Sequence, residues 1–328
     1  MKHYINIIYA LLALVLFSCS SANEEQDTVV TPPASDEPAV TPPTPASTKW
    51  TFSYTLSNKD SERTRAADST IQFRELDERN RVGLFCVKKS DNSLFADFDN
   101  LKYKPCDNGM LEPDGISTPN KPKDECKIIA YAPYSTAFDG FPNSNITFSV
   151  QKDQTSAENL IASDLLWGEA DADAMTDNVD IDFRRALTRW VLTISIGDGL
   201  QPKDFQGATF AIYRIKTQVD FNIQTGKPDG DATGKNGIIQ FLDIAEDNVA
   251  SKFIGTIMIP PQTCNPCYLQ IIFKDGVERY FKFDPFVFKQ GKHYYSYIHL
   301  ASFANNIQAN IKSWEENNII GSITSEKE

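Results

Sequence analysis

Cysteine is the residue type whose placement in this chain promises most chemistry. Cys19 ends the run Leu16-Phe17-Ser18-Cys19, behind a positive start at Met1, Lys2 and His3 and an apolar stretch from Ile5 to Phe17 broken only by Asn6. The stretch falls short of the ~20 apolar residues that span a bilayer and has the length of a signal-peptide core. Charge, apolar run, small residue and Cys stand in the order of a lipobox, so Cys19 is expected to be acylated and to become the mature N-terminus. Cys264-Asn265-Pro266-Cys267 has the spacing of redox dithiols and zinc sites. It lies between strand signals, after Pro260-Pro261-Gln262, and no second such pair completes a zinc site. A local disulfide or two free thiols in a turn are the readings left. Cys86, Cys106 and Cys126 bring the cysteines beyond Cys19 to an odd number, so at least one stays free or pairs between chains.

Other side chains offer less. His293 and His299 are six apart on one predicted strand, about 20 Å at a rise of ~3.3 Å, too far to share a metal within one chain. They are expected on the sheet surface. Asp171, Asp173 and Asp177 suggest calcium, but an EF-hand loop counted from Asp171 would need Gly and Glu where Thr176 and Asp182 stand. With 44 acidic residues a carboxylate pair for glycoside hydrolysis is always available, and nothing singles one out. No nucleophile elbow, phosphate loop or zinc-protease motif occurs. The expectation is a protein without enzymatic activity, metal or cofactor. A net charge of −12 argues against a nucleic-acid partner.

The elements that position these residues are strands. Residues 1–18 form the signal peptide and 19–47 a Pro/Thr-rich tether, where Thr31-Pro32-Pro33 and Thr41-Pro42-Pro43 favour extended polyproline geometry. Glu24, Glu25 and Asp27 resemble a surface-export signal of lipoproteins, or are part of a solvated linker. From Trp50 to Leu56 aromatic and polar residues alternate, the period of a half-buried strand. Strands are predicted at Ile71–Phe73, Val82–Val87, Cys126–Tyr131, Ile146–Val150 and Leu165–Trp167. After an acidic stretch from Glu169 to Asp182, read as the domain junction, they resume at Val191–Ile196, Phe210–Ile215, Ile238–Leu242 and Phe253–Ile259. Tyr268–Phe273 and Tyr280–Phe283 flank the hairpin signal Asp275-Gly276. Phe286–Phe288, His293–Leu300 and Ile307–Trp314 complete the series. Helix is expected only near Ala157–Ile161 and Arg185–Arg189. The class is all-β, a sandwich or barrel in each half, with halves at 48–175 and 176–328.

Several segments together resemble the fimbrillin family, the type V pilins and their relatives. They are Thr64-Arg65-Ala66, Arg81-Val82-Gly83-Leu84-Phe85, Ile129-Ala130-Tyr131-Ala132-Pro133-Tyr134 and Asp164-Leu165-Leu166-Trp167. Val179-Asp180-Ile181-Asp182-Phe183, Ile257 to Thr263, Gly291-Lys292-His293-Tyr294-Tyr295 and Ile311-Lys312-Ser313-Trp314 follow in order. One departure is Arg185, where the family often carries His. The resemblance implies two transthyretin-like β-sandwich domains in tandem and export as an outer-membrane lipoprotein, palmitoylated at Cys19. It also implies maturation by a trypsin-like protease and polymerisation by strand exchange with other subunits into a fimbria that contacts host or bacterial surfaces.

The residues themselves fit such a cycle. Trp50, Phe52, Tyr54 and Leu56 form a strand tied to the rest by a polar connector holding Arg63 and Arg65, with Arg65 the expected cleavage site and Arg63 its backup. A strand so cut could leave, and its groove would accept another by β-augmentation. Ile307, Ala309 and Ile311 alternate with Gln308, Asn310 and Lys312, making the C-terminal segment a candidate donor. The alternative is a surface glycan-binding lipoprotein that never polymerises, with Tyr295 and Tyr297 as candidate sugar-stacking residues.

Overall fold

The computed structural model describes residues 47–56, 80–197, 199–248 and 250–300, and the backbone of three short strands beyond residue 307. In the first half, Thr51–Leu56 is β1, Val82–Lys88 β2, Leu101–Pro105 β3 and Met110–Pro113 β4. Cys126–Ala132 is β5, Ile146–Ser149 β6, Leu166–Ala172 β7 and Asn178–Arg185 β8. Seven of these close into one barrel in the order β1-β4-β3-β2-β5-β7-β8, with β8 returning to β1. The short helix α1 (Ala157–Ala162) forms as expected, started by Ser156, whose hydroxyl accepts the Asn159 N–H at 3.2 Å. No helix forms at Arg185–Arg189, because Arg185 is the last rung of the β7–β8 ladder and the Ala186 N–H donates to Leu165 O.

Much of the acidic stretch is strand. Glu169 and Asp171 lie on β7, where Lys127 (3.1 Å) and Lys89 (2.9 Å) balance them. Asp180 and Asp182 are exposed on β8, while Val179, Ile181 and Phe183 between them are buried. Position 175/176 thus falls in the turn between two paired strands, and the chain leaves the barrel only at Ala186–Leu187.

The second half begins with β9 (Thr188–Ile196), β10 (Thr209–Ile215), β11 (Gln218–Asn222), β12 (Lys227–Pro228) and β13 (Gly237–Asp243). Then come β14 (Lys252–Ile259), β15 (Gln262–Cys264), β16 (Tyr268–Ile272), β17 (Glu278–Lys282), β18 (Phe286–Phe288) and β19 (His293–Leu300). Short strands β20 (Gln308–Ser313), β21 (Asn318–Ile319) and β22 (Thr324–Ser325) follow. Two five-stranded sheets result, β14-β9-β19-β20-β21 and β13-β10-β16-β17-β22, with the smaller groups β12-β11-β6 and β15-β18. The β16–β17 hairpin turns at Asp275-Gly276, where Gly276 adopts φ +82° and the Phe273 N–H donates to Val277 O.

Two cores hold these layers. One fills the barrel with Trp50, Phe52, Leu84, Cys86, Tyr103, Ile128 and Phe183 among others. The other is built from the second-half sheets but also takes Phe85, Val87, Ile129 and Tyr131 from β2 and β5. Both faces of β2 and β5 are therefore buried, which is why these two strands read as continuous apolar runs.

Candidate functional site: the first strand and its slot

β1 is the strand that closes the barrel. It runs parallel to β8 through six partners, from Thr51↔Asn178 to Leu56↔Phe183. On its other side it meets β4 at only two, Phe52↔Leu111 and Ser53↔Met110. Its inward face carries Trp50, Phe52 and Tyr54, which are 3%, 1% and 8% exposed. Leu56 is only half-buried, so three side chains rather than four fill the slot. The Trp50 Nε1–H donates to Asp173 O at 3.2 Å, and the Tyr54 hydroxyl to Cys106 O at 3.3 Å. Phe52 packs edge-on to Tyr103 with centroids 5.3 Å apart. Burying three such side chains is worth about 5–9 kcal/mol as an upper estimate, comparable with a domain's whole stability of ~5–15 kcal/mol.

The outward face sets the register. Thr51 Oγ1 donates to Asn178 Oδ1 (3.0 Å), Ser53 Oγ to Asp180 Oδ1 (2.9 Å) and Thr55 Oγ1 to Asp182 Oδ1 (3.3 Å). Three hydroxyls thus meet three polar residues two positions apart, and a slip by one residue would break all three and turn the aromatics to solvent.

Other expected site residues fall elsewhere. Cys19, Arg63, Arg65 and Ile307 lie outside the described residues. Ala309 and Ile311 lie on β20, opposite Ile298 and Ser296 of the same chain's β19. Cys264 and Cys267 are joined by a disulfide, 5.5 Å between Cα atoms. Cys86, Cys106 and Cys126 are free thiols. A hydrogen bond to Cys126, then burial, pushes the Cys86 thiol up and keeps it protonated. His293 is not a surface residue: it is half-buried, and burial, then Arg185 and Arg189 beside it, push its pKa down to about 4. His299 Nδ1 lies 3.1 Å from Ser195 Oγ. Among the described residues no group of three His, Cys, Asp or Glu could hold a metal.

A family profile for fimbrillin-like proteins matches residues 64–314, well over half of the chain. The chain belongs to the fimbrillin-like family. Two solved structures are similar in fold. One is a candidate cell adhesion protein from Bacteroides ovatus ATCC 8483, 17% identical with a TM-score of 0.62, covering 82% of this chain and 99% of that one. The other, from Bacteroides uniformis ATCC 8492, is 18% identical with a TM-score of 0.55 over 82% and 100%. A comparison with curated proteins found no match.

The fimbrillin-like motifs have definite structural roles in this chain. Gly83 stands opposite Tyr131 across β2 and β5, and the Tyr131 ring occupies the space a Cβ at Gly83 would need. Trp167 likewise lies where a Cβ at Gly226 would project, and its Nε1–H donates to Ile223 O at 2.7 Å. Arg185, the family departure, pairs with Asp164 at 2.9 Å with both side chains 6% exposed. The buried Gln262 amide accepts the Lys216 N–H and donates to Lys216 O, each at 2.9 Å, so the Pro260-Pro261-Gln262 turn is tied to the end of β10. Sequence reasoning found most of these residues but not which of them meet, since the partners lie tens of positions apart.

Proposed function

We propose that this fimbrillin-like protein is a structural or adhesive subunit of a bacterial surface fimbria, exported as an outer-membrane lipoprotein on Cys19. A trypsin-like protease cuts after Arg65, or after Arg63, and β1 then leaves the barrel. The C-terminal segment of another subunit, carrying Ile307, Ala309 and Ile311, takes its place. The observation that carries this reading is that β1 closes the barrel between β8 and β4, meeting β4 at only two partners, while its only covalent link to β2 is the connector that holds Arg63 and Arg65. Once that link is cut, the six-rung ladder on β8, two pairs with β4, three hydroxyl contacts and three buried aromatics are what retain it. A barrel open between β4 and β8 presents unpaired backbone and an uncovered apolar floor, the conditions for β-augmentation. The donor needs apolar and polar residues in alternation, and Gln308-Ala309-Asn310-Ile311-Lys312 supplies them.

A second reading is a monomeric surface lipoprotein that binds glycans. It is favoured by β20, which pairs with β19 of its own chain rather than standing free. Limited trypsin digestion of the purified chain followed by electron microscopy separates the two. The first reading expects loss of the segment before Ala66 and then fibres. A variant with Lys59, Arg63, Arg65, Arg74 and Arg79 of the connector all changed to Ala should stay monomeric under the same treatment. Fibres from that variant, or none from the cleaved wild type, would favour the second.

A further inference from the structure

The outer face of the β13-β10-β16-β17 layer carries a cluster of aromatic and polar side chains apart from the core. Phe210, Ile212, Leu269, Ile271 and Phe281 of these strands belong to the core, so Tyr213, Tyr268, Gln270, Glu278 and Tyr280 stand on the opposite side. Tyr213 faces Tyr268 directly across β10 and β16, and Gln270 faces Tyr280 across β16 and β17. The three rings touch pairwise, with centroids 5.5–6.4 Å apart and planes at 46–88°, so they form tilted walls rather than a single stack. Tyr213 is 40% exposed.

Two further observations distinguish this cluster from a chance surface patch. The first is backbone geometry. The β10–β13 register shifts between Tyr213 and Ile215, and Arg214 sits in the left-handed region at φ +62°, which disfavours any residue with a Cβ. The bulge lets Ile215 enter the core although Tyr213, two residues before, faces out, and it brings the guanidinium 5.9 Å from the Tyr268 ring centroid. Such backbone outliers gather at binding sites. The second is an unmet acceptor. Gln270 is 5% exposed; its Nε2–H donates to Glu278 Oε2 (3.1 Å) and to the Tyr280 hydroxyl (2.9 Å), and Tyr280 in turn donates to Glu278. Its Oε1, itself buried, has no donor among the described residues.

We propose that this face is a carbohydrate-binding site that takes a neutral hexopyranose unit of a surface glycan. A pyranose presents C–H groups on its faces and hydroxyls round its edge. Tilted tyrosine faces suit the first, and the Arg214 guanidinium and Glu278 carboxylate suit the second. A polyanion is disfavoured by Glu278 and by the net charge of −12. A stable protein partner would need about 800 Å² per side, more than three partly covered rings of ~150–250 Å² each can offer. The site lies apart from the β1 slot, in which β10, β16 and β17 take no part, and meets the C-terminal segment only where β22 pairs with Phe281 and Lys282 of β17.

The test uses the uncleaved full chain on an array of neutral oligosaccharides built from glucose, galactose, mannose and N-acetylhexosamines, with the best-bound oligosaccharide then titrated by calorimetry. Saturable binding is expected, weakened about tenfold or more by Tyr213→Ala. Arg214→Gly should weaken it several-fold. This second variant suits φ +62° and so keeps the fold even if Tyr213→Ala does not. Absence of binding to every glycan, or undiminished binding by Arg214→Gly and by a folded Tyr213→Ala, would overturn the proposal. So would sedimentation showing that the wild type self-associates through Tyr213, which would make the face a contact between copies.

Discussion

At Gly83 a single missing side chain decides the packing of a strand pair. The Tyr131 ring fills the vacancy, and its hydroxyl bridges Asn100 Oδ1 (2.8 Å), Ser135 O (2.7 Å) and the Ser135 N–H (3.0 Å). Gly83→Ala should cost about 1–3 kcal/mol by overpacking, read from urea unfolding. A change below a few tenths would mean the ring moves freely. His293 tests the same scale through pH. Its folded pKa of about 4 lies below its ordinary 6.5, so the unfolded chain binds a proton between those values that the folded chain refuses. Stability should be full above pH 6.5 and fall as pH drops toward 4, by at most about 3 kcal/mol. His293→Gln should flatten that part of the stability-pH curve; an unaltered slope would show that other groups produce it. The sequence shows Gly83, Tyr131 and His293 as members of motifs. It does not show that Gly83 and Tyr131 touch or that two arginines crowd the histidine, since contacts over such separations depend on register.

Strands differ in how openly they announce themselves. The period-2 alternation of β1 is legible because one of its faces is apolar and the other is not. The hairpin of β7 and β8 is hidden, because from Glu169 to Asp182 acids alternate with mostly small apolar residues and imitate a loop. β3 and β4 are short and rich in lysine and proline, and β11 carries only two buried apolar side chains. Within β1, Phe52 has the least exposed side chain and lies against Tyr103. Phe52→Ala should destabilise the uncleaved chain by about 3–5 kcal/mol and speed loss of the strand after trypsin cleavage. If release were as slow as in the wild type, the aromatics would not be what holds β1 in its slot.

On the scale of the molecule, the all-β class was plain from the sequence, but the way its halves join was not. Composition can mark an acidic stretch, yet it cannot reveal that β2 and β5 line the barrel with Leu84 and Ile128 and the other core with Phe85 and Ile129. Strand β6 likewise crosses over to pair with β11. The described body forms one compact unit, and with shared strands it should melt as one. Calorimetry should therefore record a single transition, and Ile129→Ala, costing about 2–5 kcal/mol, should lower it without splitting it. Two resolved peaks, only one of them moved, would mean the halves unfold separately.

The lie of β1 beside β8 also has a mechanical consequence. Any pull on the chain ahead of Trp50 enters the body through β1. Drawn along its own axis, β1 must slide past six rungs at once, together with the hydroxyl contacts of Thr51, Ser53 and Thr55. That is shear, in which the rungs share the load, whereas peeling would break them singly. The strand proposed to leave once its connector is cut is therefore, while the connector is whole, well placed to bear tension.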